Sequence, residues 1–205
     1  MSRAVLIDYI GSITVTPEQI NESIAKNGGK VLVSGIMQRG SSGGDENFNQ
    51  NGRSYPLPIL QREADKYKKS LVAERRALGE LDHPESSVVN LSNVSHNVVD
   101  LWWDGNNLMG KIEILPTPAG NIAKELLKAG IRLGISSRGM GSVKNLGEGK
   151  VEVQDDYEIV CWDLVSNPST QGAFMSSTLN EGINKETTNK YLKINSLISD
   201  IISVM

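Results

Sequence analysis

Two adjacent serines, two histidines and an acid inside an apolar run are the residues of this 205-residue chain best suited to covalent chemistry. The serines, Ser136 and Ser137, stand in "GISSRGMGS", residues 134–142, beside Arg138 and between Gly134, Gly139 and Gly141. A serine hydroxyl attacks a carbonyl when a base takes its proton, and a histidine with a pKa near ~6.5 can both take and return that proton at neutral pH. His83, in "GELDHPE", is expected at a strand end, just before Pro84 fixes the chain direction. His96, in "NVSHNVV", lies inside an apolar strand pattern and reads as a core or edge histidine. The plainer alternatives are a hydrogen-bonded turn histidine at 83 and a glycine-rich turn whose serines satisfy backbone groups.

On a strand, adjacent residues face opposite sides. If Ile135 faces the core, Ser137 shares its side and Ser136 faces the other way, which makes Ser136 the better nucleophile. Gly139 and Gly141 would let backbone amides come close to a substrate, and Arg138 could anchor negative charge or a water near a developing oxyanion. A phosphate cradle fits less well, because the loop precedes no helix and lacks a "GK[ST]" signature. For a third member, Asp163 in "EIVCWDLV" is flanked by Trp162 and Leu164, so it is expected to be half buried, an unusual place for a carboxylate without a task. Glu158 and the pair Asp155 and Asp156 read as a solvated turn. Asp82, His83, Glu85 and His96 could be gathered as metal ligands, but two of them flank a proline turn and no HExxH-type spacing occurs, so no metal or other cofactor is expected.

These residues need elements to hold them. "GKVLVSGIMQ" reads as a buried strand, and the polar stretch "RGSSGGDENFNQNGRSYP" after it as a long mobile loop. From Pro58, the spacing of Ile59, Leu60, Ala64, Tyr67, Leu71 and Val72 predicts a helix. "NVVDLWW", "DGNN" and "LMGKIEIL" form a hairpin pattern. "TPAGNIAKELLKAG" has Thr117 at the N-cap, Pro118 at the first helical position and Gly130 where a helix ends. "KVEVQ" and "YEIVCWDLV" are further strands. After about Gly182 the chain turns polar, and then Tyr191, Ile194, Ile198, Ile201 and Met205 follow the 3-4 alternation of a coiled-coil seam. That pattern reads either as a last helix docked on the core or as a detachable partner-binding helix.

Composition narrows the class. With 21 basic and 24 acidic side chains and a formal net charge of −3, no basic field for a nucleic acid is present. Cys161 is the only cysteine, which rules out an internal disulfide and suits a reducing compartment. No apolar run approaches the ~20 residues of a membrane span, so a cytoplasmic protein without membrane contact is expected.

Four separated blocks carry a likeness: "NGRSYPLPILQREADKY", "ALGELDHP", "DLWWDGNNLMGKIEIL" and "LGISSRGMGSV". From about Asn51 to Pro168 the chain resembles the prohead core proteases of contractile-tailed phages, serine peptidases whose fold is similar to herpesvirus assemblin. The resemblance implies an α+β fold, a mostly antiparallel β-barrel-like core with surrounding helices. Residues 1–178 would form the protease domain and 179–205 a linker and C-terminal helical tail. It implies His83 as base, Ser136 as nucleophile, Asp163 as the acid on a following strand, and backbone amides near Arg138 and Gly139 as the oxyanion site. The enzyme would sit in the host cytoplasm inside the immature capsid, silent as a zymogen until assembly. It would then cut scaffold and major capsid proteins; a homo-oligomer is allowed. The alternative is a catalytically inactive scaffold or capsid-binding protein of the same fold. Such proteases favour a glutamate before the cut bond and an aliphatic residue two places earlier. Leu179-Asn180-Glu181 followed by Gly182 fits as a self-cleavage site whose use would release the tail, while Ile20-Asn21-Glu22 and Leu78-Gly79-Glu80 match the same pattern.

Overall fold

The computed structural model describes residues 3–13, 16–42, 47–49, 51–82, 84, 86–166 and 174–177, with backbone alone for 9–13 and 174–177. The described elements, in chain order, are β1 (Ala4–Ile13), α1 (Pro17–Lys26), β2 (Val31–Arg39), β3 (Arg53–Ser54), α2 (Leu57–Tyr67), β4 (Leu78–Glu80), β5 (Val94–Asp104), β6 (Asn107–Ile114), α3 (Pro118–Lys128), β7 (Leu133–Gly141), β8 (Val143–Gly147), β9 (Lys150–Val153), β10 (Glu158–Val165) and β11 (Phe174–Ser177).

Eight strands form one sheet in the order β10-β7-β1-β11-β2-β6-β5-β4, and β3-β9-β8 form a second, smaller one. Apart from the parallel β1–β11 contact, the large sheet is antiparallel. Its two outermost strands come together: Leu81 and Leu164 form an isolated bridge, Asp82 N–H donates to the Leu164 carbonyl at 2.6 Å, and Glu80 N–H donates to Asp163 Oδ1 at 2.9 Å. The sheet therefore curls until its ends touch, but no ladder joins β4 to β10 and the barrel is not closed. The expectation of a mostly β fold with a few helices holds in that coarser form. The C-terminal tail lies outside the described residues.

Local sequence accounts for most elements. In β2, Val31, Val33 and Met37 are buried at alternate positions before the pattern shifts, as a strand with one core face requires. The β5–β6 hairpin turns at Gly105, which takes a φ of +56° that a side chain would resist. α2 buries Leu60, Ala64 and Tyr67 at spacings of four and three, and then widens into a π-type turn over Lys68–Val72, with Ala73 N–H bonding the Lys68 carbonyl. In α3 the Thr117 hydroxyl accepts from Gly120 N–H, and Ala119, Ala123 and Leu127 are buried. α1 starts in a capping box between Thr16 and Gln19. Between the large sheet and these helices lies the main core, where Ile135, Trp162 and Leu164 meet Tyr67, its ring edge-on to Trp162 at 4.9 Å.

Two expectations change. The two ends of the segment after β2 are anchored rather than loose: Ser41 bridges to Pro56, β3 pairs with β9, and Tyr55 is buried, while residues 43–46 and 50 lie outside the described residues. Asn51, Arg53 and Tyr55 also reach the buried carboxylate of Asp8, and polar partners of this kind do not show in a hydrophobicity pattern. In addition, "GISSRGMG" is an interior strand, β7, flanked by β1 and β10 and buried at eight of its nine positions.

Candidate active site

Ser136 sits near the middle of β7. Its ladder partner on β10 is Asp163, and Ser137 pairs with Trp162 on β10 and Asp8 on β1. Directly paired residues of an antiparallel ladder share a face. One face of β7 therefore carries Ile135 and Ser137 toward Trp162 and Leu164 in the core, and the other carries Ser136 and Arg138 toward Asp163 and Cys161. The facing derived from the sequence is the one the fold has. Both serine hydroxyls are buried without a hydrogen-bond partner among the described residues, and Ser136 is 1% exposed. A buried hydroxyl that bonds to nothing contributes no stability and is uncommon in a settled core.

On the Ser136 face lies a buried ionic cluster. Arg138 Nε donates to Asp163 Oδ2 at 3.0 Å and Nη2 to Asp163 Oδ1 at 3.2 Å, while Nη2 also donates to Glu80 Oε1 at 2.6 Å. Its Nη1 reaches the carbonyls of Ser86 at 2.9 Å and Val88 at 3.4 Å. All five N–H groups of the fork thus have protein acceptors. In this structure the guanidinium expected to anchor substrate charge is fully buried and bonded to these acceptors. The expectation for the backbone amides of Arg138 and Gly139 is a separate matter. The β7–β10 ladder breaks opposite these two residues, where an extra residue lies between Ile159 and Cys161. The extra residue lies on β10, and a bulge of this kind bends its own strand and locally interrupts the ladder. Gly139 itself is required by packing, since a Cβ there would lie 2.4 Å from the Tyr157 ring.

Asp163 is fully buried and also accepts from Glu80 N–H at 2.9 Å and from Cys161 Sγ at 3.3 Å. Burial pushes its carboxyl above the usual aspartate value, against the Glu80 N–H and the Arg138 charge, which pull it down. The Arg138 guanidinium is held above the ordinary arginine value: burial alone would lower it, but Cys161, Asp163 and Glu80 outweigh that effect.

Glu80 is the residue that sequence reasoning missed. It is buried, its Oε1 accepts from Asn90 N–H at 3.0 Å as well as from Arg138, and its Oε2 has no partner among the described residues. The signal was available, since an acid between Gly79 and Leu81 in an expected strand is the same anomaly that singled out Asp163.

His83 lies outside the described residues, as do Glu181 and Gly182. Its neighbour Asp82 is placed by the bond to the Leu164 carbonyl, immediately beyond Asp163 on β10. His96 is a core residue. Trp162 O can only accept, so His96 Nε2 donates to it at 3.0 Å, and Nδ1 is left to accept from Ser95 Oγ at 2.9 Å. The ring passes over Gly79, where a Cβ would lie 2.3 Å from Nε2. Burial pulls this imidazole down to about 4, partly offset by the bond to Trp162 O, so it is neutral at pH 7.

The same arrangement of strands is found in a solved protein. The capsid assembly protease gp21 of bacteriophage T4 superposes with a TM-score of 0.67 over 82% of this chain and 100% of that chain, at 24% identity, a likeness of fold. In sequence, the chain is 33% identical over 135 residues to the prohead core protein protease of Enterobacteria phage T4, over 64% of this chain and 63% of that protein. The alignment thus spans a little under two thirds of that relative's length. Residues 9–184 match the family described as prohead core protein serine protease, a span that contains β7, β10 and the whole Glu80–Arg138–Asp163 cluster. On a match of that extent, the chain belongs to the prohead core protein serine protease family.

Proposed function

We propose that this chain is a serine endopeptidase of the immature phage capsid that cleaves scaffold and major capsid proteins during maturation. The observation that carries the reading is Ser136: a buried, unpartnered hydroxyl on an interior strand, directly opposite Asp163, in a chain of this family. In the proposed reaction His83 takes the Ser136 proton as Oγ attacks the peptide carbonyl. The backbone amides of Arg138 and Gly139 bind the resulting oxyanion, His83 protonates the departing amine, and water then frees the acyl-enzyme.

Asp163 acts in this scheme as part of a charged group. Glu80 and Asp163 carry two negative charges against the one positive charge of Arg138, so the ionised cluster is net negative and favours a positive imidazole formed beside it. The burial of Ser136 suits an enzyme that is silent before assembly, because no peptide reaches a hydroxyl 1% exposed without a rearrangement. We also propose residues 1–178 as the protease domain and Glu181-Gly182 as a bond it cuts in itself.

Co-expression with the cognate scaffold protein tests the reading. Wild type should process the scaffold and Ser136→Ala should not, and a fluorophosphonate should label only the protein that retains Ser136. Scaffold processed equally by Ser136→Ala would overturn it. For the self-cut, intact mass spectrometry of protein from maturing proheads should show a species ending at Glu181 that is absent in Ser136→Ala. A mature enzyme still ending at Met205 would refute that part alone.

A further inference from the structure

We propose that Arg138 is a positioning residue for the reaction, which with Glu80 fastens the described residues on either side of His83 in the sequence to the strand that carries Ser136. The inference rests on the serine-protease reading above. Arg138 follows Ser136 by two residues on β7 and shares its face, so its stem starts from the nucleophile's own strand. Its fork ends on the other side of the site, where Nη1 donates to the Ser86 and Val88 carbonyls and Nη2 to Glu80 Oε1. Glu80 extends the tie through Oε1 to Asn90 N–H at 3.0 Å. At the start of the same stretch, Glu80 N–H bonds Asp163 and Asp82 N–H bonds the Leu164 carbonyl. Glu80, Asp82, Ser86, Val88 and Asn90 are thus each tied, and His83 falls between these anchors in the sequence.

Leu81 packs against the main core at the start of the stretch, but hydrophobic packing does little of the holding at its far end. Val88 is 70% exposed, and Leu91 just beyond the stretch is 73% exposed. Burying three charges is itself a poor way to gain stability, since well-packed apolar side chains serve at least as well. What a planar fork with five fixed donors provides is direction, and lysine cannot reproduce that geometry although it keeps the charge. A misplacement of about 1 Å between a nucleophile and its base is enough to cost on the order of 10²-fold in rate.

The test compares Arg138→Lys, Glu80→Gln and Glu80→Ala with wild type and Ser136→Ala. The readouts are kcat and KM for scaffold cleavage, the rate of fluorophosphonate labelling and thermal unfolding. Folded Arg138→Lys should lose roughly 10²-fold in kcat and in labelling rate, with KM within about twofold. Glu80→Gln, which keeps an acceptor for Asn90 N–H and Arg138, should retain more kcat than Glu80→Ala. Wild-type kcat in folded Arg138→Lys, or a change confined to KM or melting temperature, would overturn the proposal. Where Arg138→Lys does not fold, the Glu80 pair decides it: equal kcat in Glu80→Gln, Glu80→Ala and wild type would overturn it as well. An active Ser136→Ala would instead sink the serine-protease reading, whatever Arg138 does.

Discussion

The two faces of β7 each look onto a buried charge cluster, and the clusters are built differently. On the Ser137 face, Asp8 takes bonds from Arg53 Nη1 at 2.6 Å, Asn51 Nδ2 at 3.0 Å and the Tyr55 hydroxyl. One acid meets one base, both carboxylate oxygens are occupied, and the result ties β1 to β3 and the segment before it. On the Ser136 face, two acids meet one base and Glu80 Oε2 is left without a partner. Arg53 Nε and the Ser137 hydroxyl on the other face are also without partners among the described residues, so what separates the two clusters is charge: a cluster that only holds a fold together gains from charge balance. The surplus acid on the Ser136 face fits the proposed reaction, in which an imidazole beside it becomes positive.

The serines test this contrast most strongly. Ser136→Ala is expected to lower scaffold cleavage by about 10⁴-fold or more, whereas Ser137→Ala leaves a measurable rate, as single-turnover assays on folded proteins should show. Equal losses would erase the distinction between the faces.

The acids come next. Asp163→Asn leaves Glu80 to balance Arg138, so it should fold, yet activity should fall by roughly 10²- to 10⁴-fold as the surplus charge disappears. Asp8→Asn leaves Arg53 without its carboxylate and should cost about 3 kcal/mol in denaturant unfolding, while the folded fraction cleaves at nearly the wild-type rate. The opposite pattern would exchange the roles of the two clusters.

A third buried ionisable group, His96, separates loss of stability from loss of chemistry. Its folded pKa of about 4 lies below the unfolded value of 6.5, so between these values the unfolded chain binds the extra proton. Stability is full above pH 6.5 and falls as the pH drops toward 4, by about 3 kcal/mol in total. His96→Gln should flatten that part of the stability curve measured by urea unfolding. A wild-type curve with no slope from pH 6.5 to 4 would contradict the buried neutral ring.

The smallest expected effect lies away from both clusters. Thr117→Ala removes the α3 N-cap, together with a hydroxyl that also bonds the Val94 carbonyl, and should cost about 1 kcal/mol in thermal unfolding without changing kcat. A large change in kcat there would mean that the site is coupled to helix packing far from either cluster.

The helices over 57–67 and 118–128, the hairpin at Gly105 and the strands around Val31, Lys150 and Asp163 were legible in the sequence, because cap residues, turn glycines and apolar periodicity act within a few residues. The opposite facing of Ser136 and Ser137 was legible for the same reason, since a strand has a period of two. The pairing of Glu80 with Arg138 was not. These two residues stand 58 positions apart, and Arg138 and Asp163 stand 25 apart. No local pattern records that β4 curls round to meet β10, nor that the meeting encloses two acids and one arginine. Sequence alone determined which residues had the chemistry. The curl of the sheet decided which of them share a buried site, because only burial turns an ordinary arginine and two ordinary carboxylates into a fixed, oriented group.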